Sequence, residues 1–152
     1  MEKLKKITIN DGIILYESKF AKHTYQPSTK TLFSDWSPAT FEMSREDFKI
    51  EIEAWLNVFK KEKILYLFDR CSDFIYPIAP DEQVWMAKLL NPEWIKLGLK
   101  KYAHLVPEEF IANLSVDQMF DEFFNMNLEG QYPINHFSDE QEQEALDWLN
   151  KS

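Results

Sequence analysis

The order of hydrophobic and polar positions divides this chain into a few N-terminal strands followed by alternating helices and strands. Its densest apolar run is Lys63-Ile64-Leu65-Tyr66-Leu67-Phe68-Asp69, hemmed in by charge and without period-2 alternation. A run this short and bulky is the pattern of a strand buried on both faces, and it predicts the central strand of an α/β sheet. Ahead of it, Lys6-Ile7-Thr8-Ile9 alternates and Asn10-Asp11-Gly12 is a turn signal. Residues 13–20 then read as the returning strand of an antiparallel hairpin. The stretch 21–37 is weakly patterned and broken at Pro27-Ser28, and within it Thr31–Trp36 predicts a third strand at a sheet edge.

The helices announce themselves by caps and by spacing. Ser44 followed by Asp47 is a capping-box start, and Phe48, Ile52, Trp55, Leu56 and Phe59 recur on one helical face. After the central strand, a loop over residues 70–78 leads to Pro80 at a first helical position, with Asp81 and Glu82 at the positive end of the dipole. Val84, Trp85, Ala87, Leu89 and Leu90 supply that helix's buried surface. Pro92 predicts an interruption, with Asn91 capping a second segment, 93–97, that Gly98 closes in a left-handed turn. Tyr102-Ala103-His104-Leu105-Val106 is the next strand. Ser115 with Gln118, and Leu114 with Met119, match a capping box and a hydrophobic staple. They predict a helix whose buried stripe is Met119, Phe120, Phe123 and Phe124. Residues 132–137 form a final strand that Pro133 pushes toward an edge, and Ser138 with Gln141 caps a last helix carrying Ala145, Trp148 and Leu149.

This order predicts an α/β fold in one domain over residues 1–152. The sheet is mixed, with an N-terminal antiparallel hairpin, a parallel C-terminal part, right-handed crossovers and about four covering helices. Composition agrees: 45% hydrophobic and 15% aromatic residues give ample material for a core. A net charge of −9 argues against a nucleic-acid partner, since phosphate binding needs concentrated Lys and Arg. The one tight basic group, Lys60, Lys61 and Lys63, falls where a helix ends and offsets its dipole. No apolar stretch approaches the roughly 18 residues of a membrane span, and no apolar segment of the secretory kind follows the N-terminus. A soluble, cytoplasmic protein is expected. Cys71 is the single cysteine, so neither an intramolecular disulfide nor a cysteine-based metal cage is available.

Three stretches resemble the STAS / SpoIIAA-like superfamily, the fold of anti-sigma-factor antagonists. They are the strand-loop-helix over residues 64–90, the strand Lys101-Tyr102-Ala103-His104-Leu105-Val106, and the ending Asn135-His136-Phe137-Ser138 … Ala145-Leu146-Asp147-Trp148-Leu149. Phosphorylation-switched members carry an Asp-Ser-Ser-Gly-like turn before the helix that follows the central strand. The matching stretch here, Phe74-Ile75-Tyr76-Pro77-Ile78-Ala79, has no Ser or Thr, and Ser72 lies upstream of it. The resemblance therefore implies a SpoIIAA-like, non-enzymatic module that binds a protein or a small apolar ligand, without that switch.

Open α/β sheets place ligands beyond the C-terminal ends of their strands, which draws attention to Asp69-Arg70-Cys71-Ser72-Asp73. A thiolate at Cys71, an imidazole at His104 and an orienting carboxylate at Asp69 compose a candidate catalytic site. No glycine-flanked elbow surrounds Cys71, and the competing reading is a capped loop with an inert thiol. Asp69 and Asp73 serve equally as turn formers. His23, His104 and His136 are never spaced i, i+4, so no metal site is predicted. Gly12, Gly98 and Gly130 stand singly at turns, which excludes a glycine-rich phosphate cradle, and no cofactor is expected. Five Trp, twelve Phe and six Tyr exceed what a core of this size needs. The candidate lining of a binding pocket or dimer patch is Phe74, Ile75, Tyr76, Trp85 and Trp94. Asp139, Glu140, Glu142 and Glu144 suit a solvated helix start. The expected function is a regulatory or scaffolding module acting on a protein partner or as a homodimer. A carrier of an apolar small molecule such as a lipid is the first alternative, and a small Cys71-dependent enzyme the second.

Overall fold

Alternation along each strand feeds two separate cores, one on either face of a single sheet. The structure is a computed structural model that describes residue 9 and residues 11–151. The strand expected over residues 6–9 therefore lies, but for Ile9, outside the described residues. Six strands follow one another in sequential order: β1 (Ile13–Glu17), β2 (Ala21–Gln26), β3 (Thr31–Trp36), β4 (Tyr66–Arg70), β5 (Lys101–Leu105) and β6 (Ile134–Phe137). The first three pair antiparallel and the rest parallel. The helices are α1 (Arg45–Lys61), α2 (Pro80–Lys96), α3 (Phe110–Asn125) and α4 (Glu142–Asn150), with short 3-10 turns at Pro38–Glu42 and Asp139–Gln141. The mixed α/β sheet expected from the sequence is what forms.

Leu32 and Trp36 of β3, Leu67 of β4 and Tyr102 of β5 point into the larger core, against α1, α2 and α3. Their neighbours Phe33, Phe68, Ala103 and Leu105 point the other way and meet Ala145 and Leu149 of α4. A strand covered on both faces has no polar side to show, which is why residues 63–69 read as unbroken apolar sequence.

Several local expectations are corrected by tertiary contacts. The strand expected over 13–20 stops at Glu17 because the Ser18 hydroxyl accepts from the N–H groups of Phe20 and Ala21, at 3.0 and 3.2 Å, and turns the chain. The segment that follows is β2, hidden in the sequence by a buried polar residue, His23, at one of its inward positions. With β2 outside it, β3 lies in the sheet interior rather than at an edge. Pro92 does not divide α2, which runs unbroken past it. The carbonyl it leaves without an N–H partner belongs to Lys88, an exposed residue. Asn91 is meanwhile pinned, donating to Gln131 Oε1 at 2.9 Å and accepting from Tyr132 OH at 2.7 Å.

Helix α3 begins five residues before Ser115. Glu109 caps it, its carboxylate accepting from Ile111 N at 3.1 Å and Ala112 N at 2.7 Å. Ser115 sits inside the helix, and Leu114 and Phe124 are exposed, so neither staple nor full stripe forms as expected. Elsewhere the caps hold: Ser44 and Asp47 make both bonds of their capping box, Gly98 has φ 91°, and β6 is an edge strand. Ser138 N donates to Gln141 Oε1 at 2.9 Å, opening the 3-10 turn that leads into α4. No helix among the described residues is long and apolar enough to cross a membrane.

Arg70 ties the second core together. Its guanidinium meets Asp35 of β3 in a two-pronged contact, 2.6 and 3.0 Å, lies 3.5 Å from Glu142 of α4, and stacks over Phe33 and Phe68. A buried cation that loses its counter-ion is destabilising by several kcal/mol, whereas removing both charges for apolar groups is nearly neutral. Asp35→Ala is expected to lower unfolding free energy by about 3 kcal/mol in urea titrations. The double variant Asp35→Leu, Arg70→Met is expected to recover most of that loss; equal losses in both would mean that the charge pairing carries none of the effect.

Candidate functional site

The parallel register aligns a row of polar side chains on the inner face of the sheet. Tyr16, His23, Ser34, Asp69, His104 and His136 are paired in turn across all six strands. Four of them, His23, Ser34, Asp69 and His104, are buried in the larger core. Each therefore needs a partner from the helices or from neighbouring strands.

Asp69 is the centre of the row. Its Oδ1 accepts from Trp36 Nε1 at 2.8 Å and its Oδ2 from Tyr102 OH at 2.6 Å, and the Cys71 thiol is a further donor. Burial pushes its pKa up to about 6, against the opposing pull of the Tyr102, Trp36 and Cys71 hydrogen bonds. Bonds to a charged acceptor contribute roughly 1.5–3 kcal/mol each, the order needed to offset several kcal/mol of desolvation. The same burial, with the Asp69 charge beside it, holds the Cys71 thiol well above its ordinary range. His104 is pushed well below its usual value by burial and by His136, whose Nδ1 lies 2.9 Å from its own. His104 Nε2 has no partner. The three residues named as a catalytic candidate are thus brought together: one ligating atom of each lies within 4.8 Å of the others. Burial holds the thiol in its protonated form and the imidazole neutral, and all three side chains are closed off from solvent.

The seal is the loop 71–79, held from four directions. Thr40 Oγ1 accepts from Ile75 N at 2.9 Å, and Ser115 Oγ accepts from Ile78 N at 3.1 Å. Ser72 Oγ donates to Asp139 at 2.6 Å, and Tyr76 OH donates to the buried Glu82 of α2 at 2.9 Å. Beneath it is a cavity of about 20 Å³, lined by Asp69, Cys71, His104, Trp36 and Phe74 among others. That is room for one water, far below the roughly 300–1,000 Å³ of small-molecule pockets.

Of the five residues expected to line a binding surface, Ile75 and Tyr76 border an open groove, and Phe74, Trp85 and Trp94 do not line it. Trp94 is fully buried at the middle of the larger core, packed against Trp55, Phe59, Tyr102 and Phe123. Phe74 and Tyr76 are buried too, Phe74 against Trp36 and Tyr76 stacked on Phe48. Ile75 and Trp85 are half-buried, with Lys49 lying over the Trp85 ring. Among the described residues the most exposed large apolar side chains are Phe41 (75%) and Phe110 (74%), with Ile13, Ile14, Ile50, Ile111, Leu114 and Phe124 about half exposed. Phe41 and Ile111 border an open groove of about 490 Å³ with Ile75, Pro77 and Met43. Phe41 and Phe110 fall outside any apolar period, which is the signal the sequence offered.

His23 stacks on Trp55, and its Nδ1 lies 2.8 Å from Ser34 Oγ, which accepts from Trp55 Nε1 at 2.8 Å. Burial lowers its pKa to about 3 from an ordinary 6.5. The unfolded state binds the proton better between those values, so this residue's contribution is complete above pH 6.5 and is lost on acidification toward pH 3. Replacing it with Phe, which keeps the stack, is expected to flatten the stability–pH curve by up to about 1.4 kcal/mol per pH unit. Parallel curves for the two proteins would refute this. Cys71 is expected to react with iodoacetamide at neutral pH only after denaturation; rapid labelling of the native protein would show an accessible thiolate.

No family model matches this chain, and neither a curated protein nor a solved structure does, so its site stands on its own geometry.

Proposed function

We propose that this protein is a non-enzymatic binding module of the STAS / SpoIIAA-like kind, acting in regulation or scaffolding through a protein partner. The observation that carries this reading is the apolar surface at the C-terminal end of the parallel strands, where the three-quarters exposed Phe41 borders a groove with Ile75, Tyr76 and Ile111, and the equally exposed Phe110 is the chain neighbour of Ile111. Large rings held out in water on a 3-10 turn (Phe41) and at the first residue of α3 (Phe110) are preorganised contact area, and exposed apolar patches mark interaction sites.

Charge selects the partner. Glu108, the helix-capping Glu109 and Glu42, which pairs with Lys19, are exposed beside the apolar residues, and the chain carries −9 overall. Two copies brought together at this face repel one another, whereas an apolar segment flanked by Lys or Arg gains both burial and complementary charge. An apolar small molecule has little room in the interior, and the protonated Cys71 is a poor nucleophile, so neither alternative has comparable support.

The test uses surface positions whose substitution leaves the core intact. Phe41→Glu with Phe110→Glu is expected to keep the melting temperature and abolish co-purification of specific partners in cross-linked pull-downs, while the wild type retains them. The same partners on both proteins would remove this surface from consideration. A wild-type dimer in sedimentation that the double variant converts to monomer would instead assign the face to self-association.

A further inference from the structure

Asp69, Cys71 and His104 meet where β4 and β5 run side by side, with Cys71 the first residue beyond β4. Carboxylate, thiolate and imidazole are together the ligand set of a borderline-soft divalent ion, zinc above all. The mutual separations, all within 4.8 Å, need adjustments of about an ångström to close on one ion with bonds near 2.0–2.3 Å.

Four features distinguish this cluster from a set of hydrogen bonds alone. His104 Nε2 is a buried nitrogen without a partner. Its Nδ1 lies 2.9 Å from His136 Nδ1, and a metal-ligating histidine characteristically donates its second ring N–H to such an acceptor, leaving the other lone pair free. Trp36 and Tyr102 grip Asp69 in the way outer groups orient a ligating carboxylate. A cavity of about 20 Å³ borders all three side chains, its other walls being mostly aromatic and aliphatic, and it has room for one small ion. Charge balance completes the case. A carboxylate and a thiolate neutralise a divalent cation, so the occupied site buries no net charge, while the carboxylate alone leaves an uncompensated one.

We infer that Asp69, Cys71 and His104 form a buried three-residue site for a single zinc ion. Binding breaks the Cys71 S–H bond, forms the sulfur–metal bond and releases the proton to solvent. His136 acts as a positioning residue for His104. Because the loop 71–79 closes over the site, the ion enters as the chain folds.

Elemental analysis of tag-free protein refolded with zinc and then freed of excess ion is expected to give one zinc per chain. Refolding with Co²⁺ is expected to produce the near-ultraviolet charge-transfer absorption of a thiolate–cobalt bond, lost in Cys71→Ser. Zinc affinity is expected to fall by more than tenfold in His104→Gln and by roughly tenfold in His136→Gln. Absence of the thiolate band in folded wild-type protein refolded with excess Co²⁺ would overturn the inference. So would unchanged zinc stoichiometry and affinity in Cys71→Ser. The cobalt result is read on the wild type and does not depend on any variant folding.

Discussion

A carboxylate placed at the centre of an aromatic core is the constraint to which the rest of this structure answers. Asp69 lies on an interior strand with helices packed over it, and it stays there because Trp36 from β3 and Tyr102 from β5 both aim their donors at it. Those two bonds reach across the strands on either side of β4 and fix the side chains as the backbone ladder fixes the main chain. The aromatic packing follows from them. Trp36 and Tyr102 cannot rotate without abandoning Asp69, and Trp55, Phe74, Trp94 and Phe120 pack edge-on or tilted against their fixed faces. Apolar burial supplies the driving force, while the polar row selects one packing among many that would bury similar area.

The loop 71–79 separates the interior from an exposed apolar groove. Its backbone N–H groups are taken up by Thr40, Ser115 and Glu82, residues from three different elements, so a long connection behaves as a fixed lid. Beneath it the thiol and imidazole are neutral and enclosed. Above it Ile75 and Pro77 join Phe41 and Ile111 on the outside. One loop thus presents an apolar surface to solvent and closes the core behind it.

Much of this was legible in the chain. The caps at Ser44 and Gly98, the helical face from Phe48 to Phe59 and the apolar run into β4 are local signals, and local chemistry sufficed to read them. The failures share one cause, which is that a residue's nearest sequence neighbours were not its partners. Ser115 looked like a cap, yet its hydroxyl serves Ile78, 37 positions away. Pro92 looked like a break, yet the contacts of Asn91 with Gln131 and Tyr132 hold the helix through it. His23 disguised β2 as a loop, because a buried histidine on a strand is intelligible only once Ser34 and Trp55 stand beside it.

The same division applies to the site. The sequence by itself determined that the fold is α/β, that Asp69 and Cys71 lie at the C-terminal end of a buried strand, and that no glycine-rich phosphate cradle exists, since each of these depends on residue type and spacing along the chain. Only the tertiary structure decided that His104 faces Asp69 rather than α4, because the register of β4 with β5 sets which side of the sheet each side chain takes. It alone decided that Phe74, Tyr76 and Trp94 are core while Phe41 and Phe110 are surface. An aromatic residue has the same apolar character in both places, and what distinguishes them is whether another element arrives to cover it.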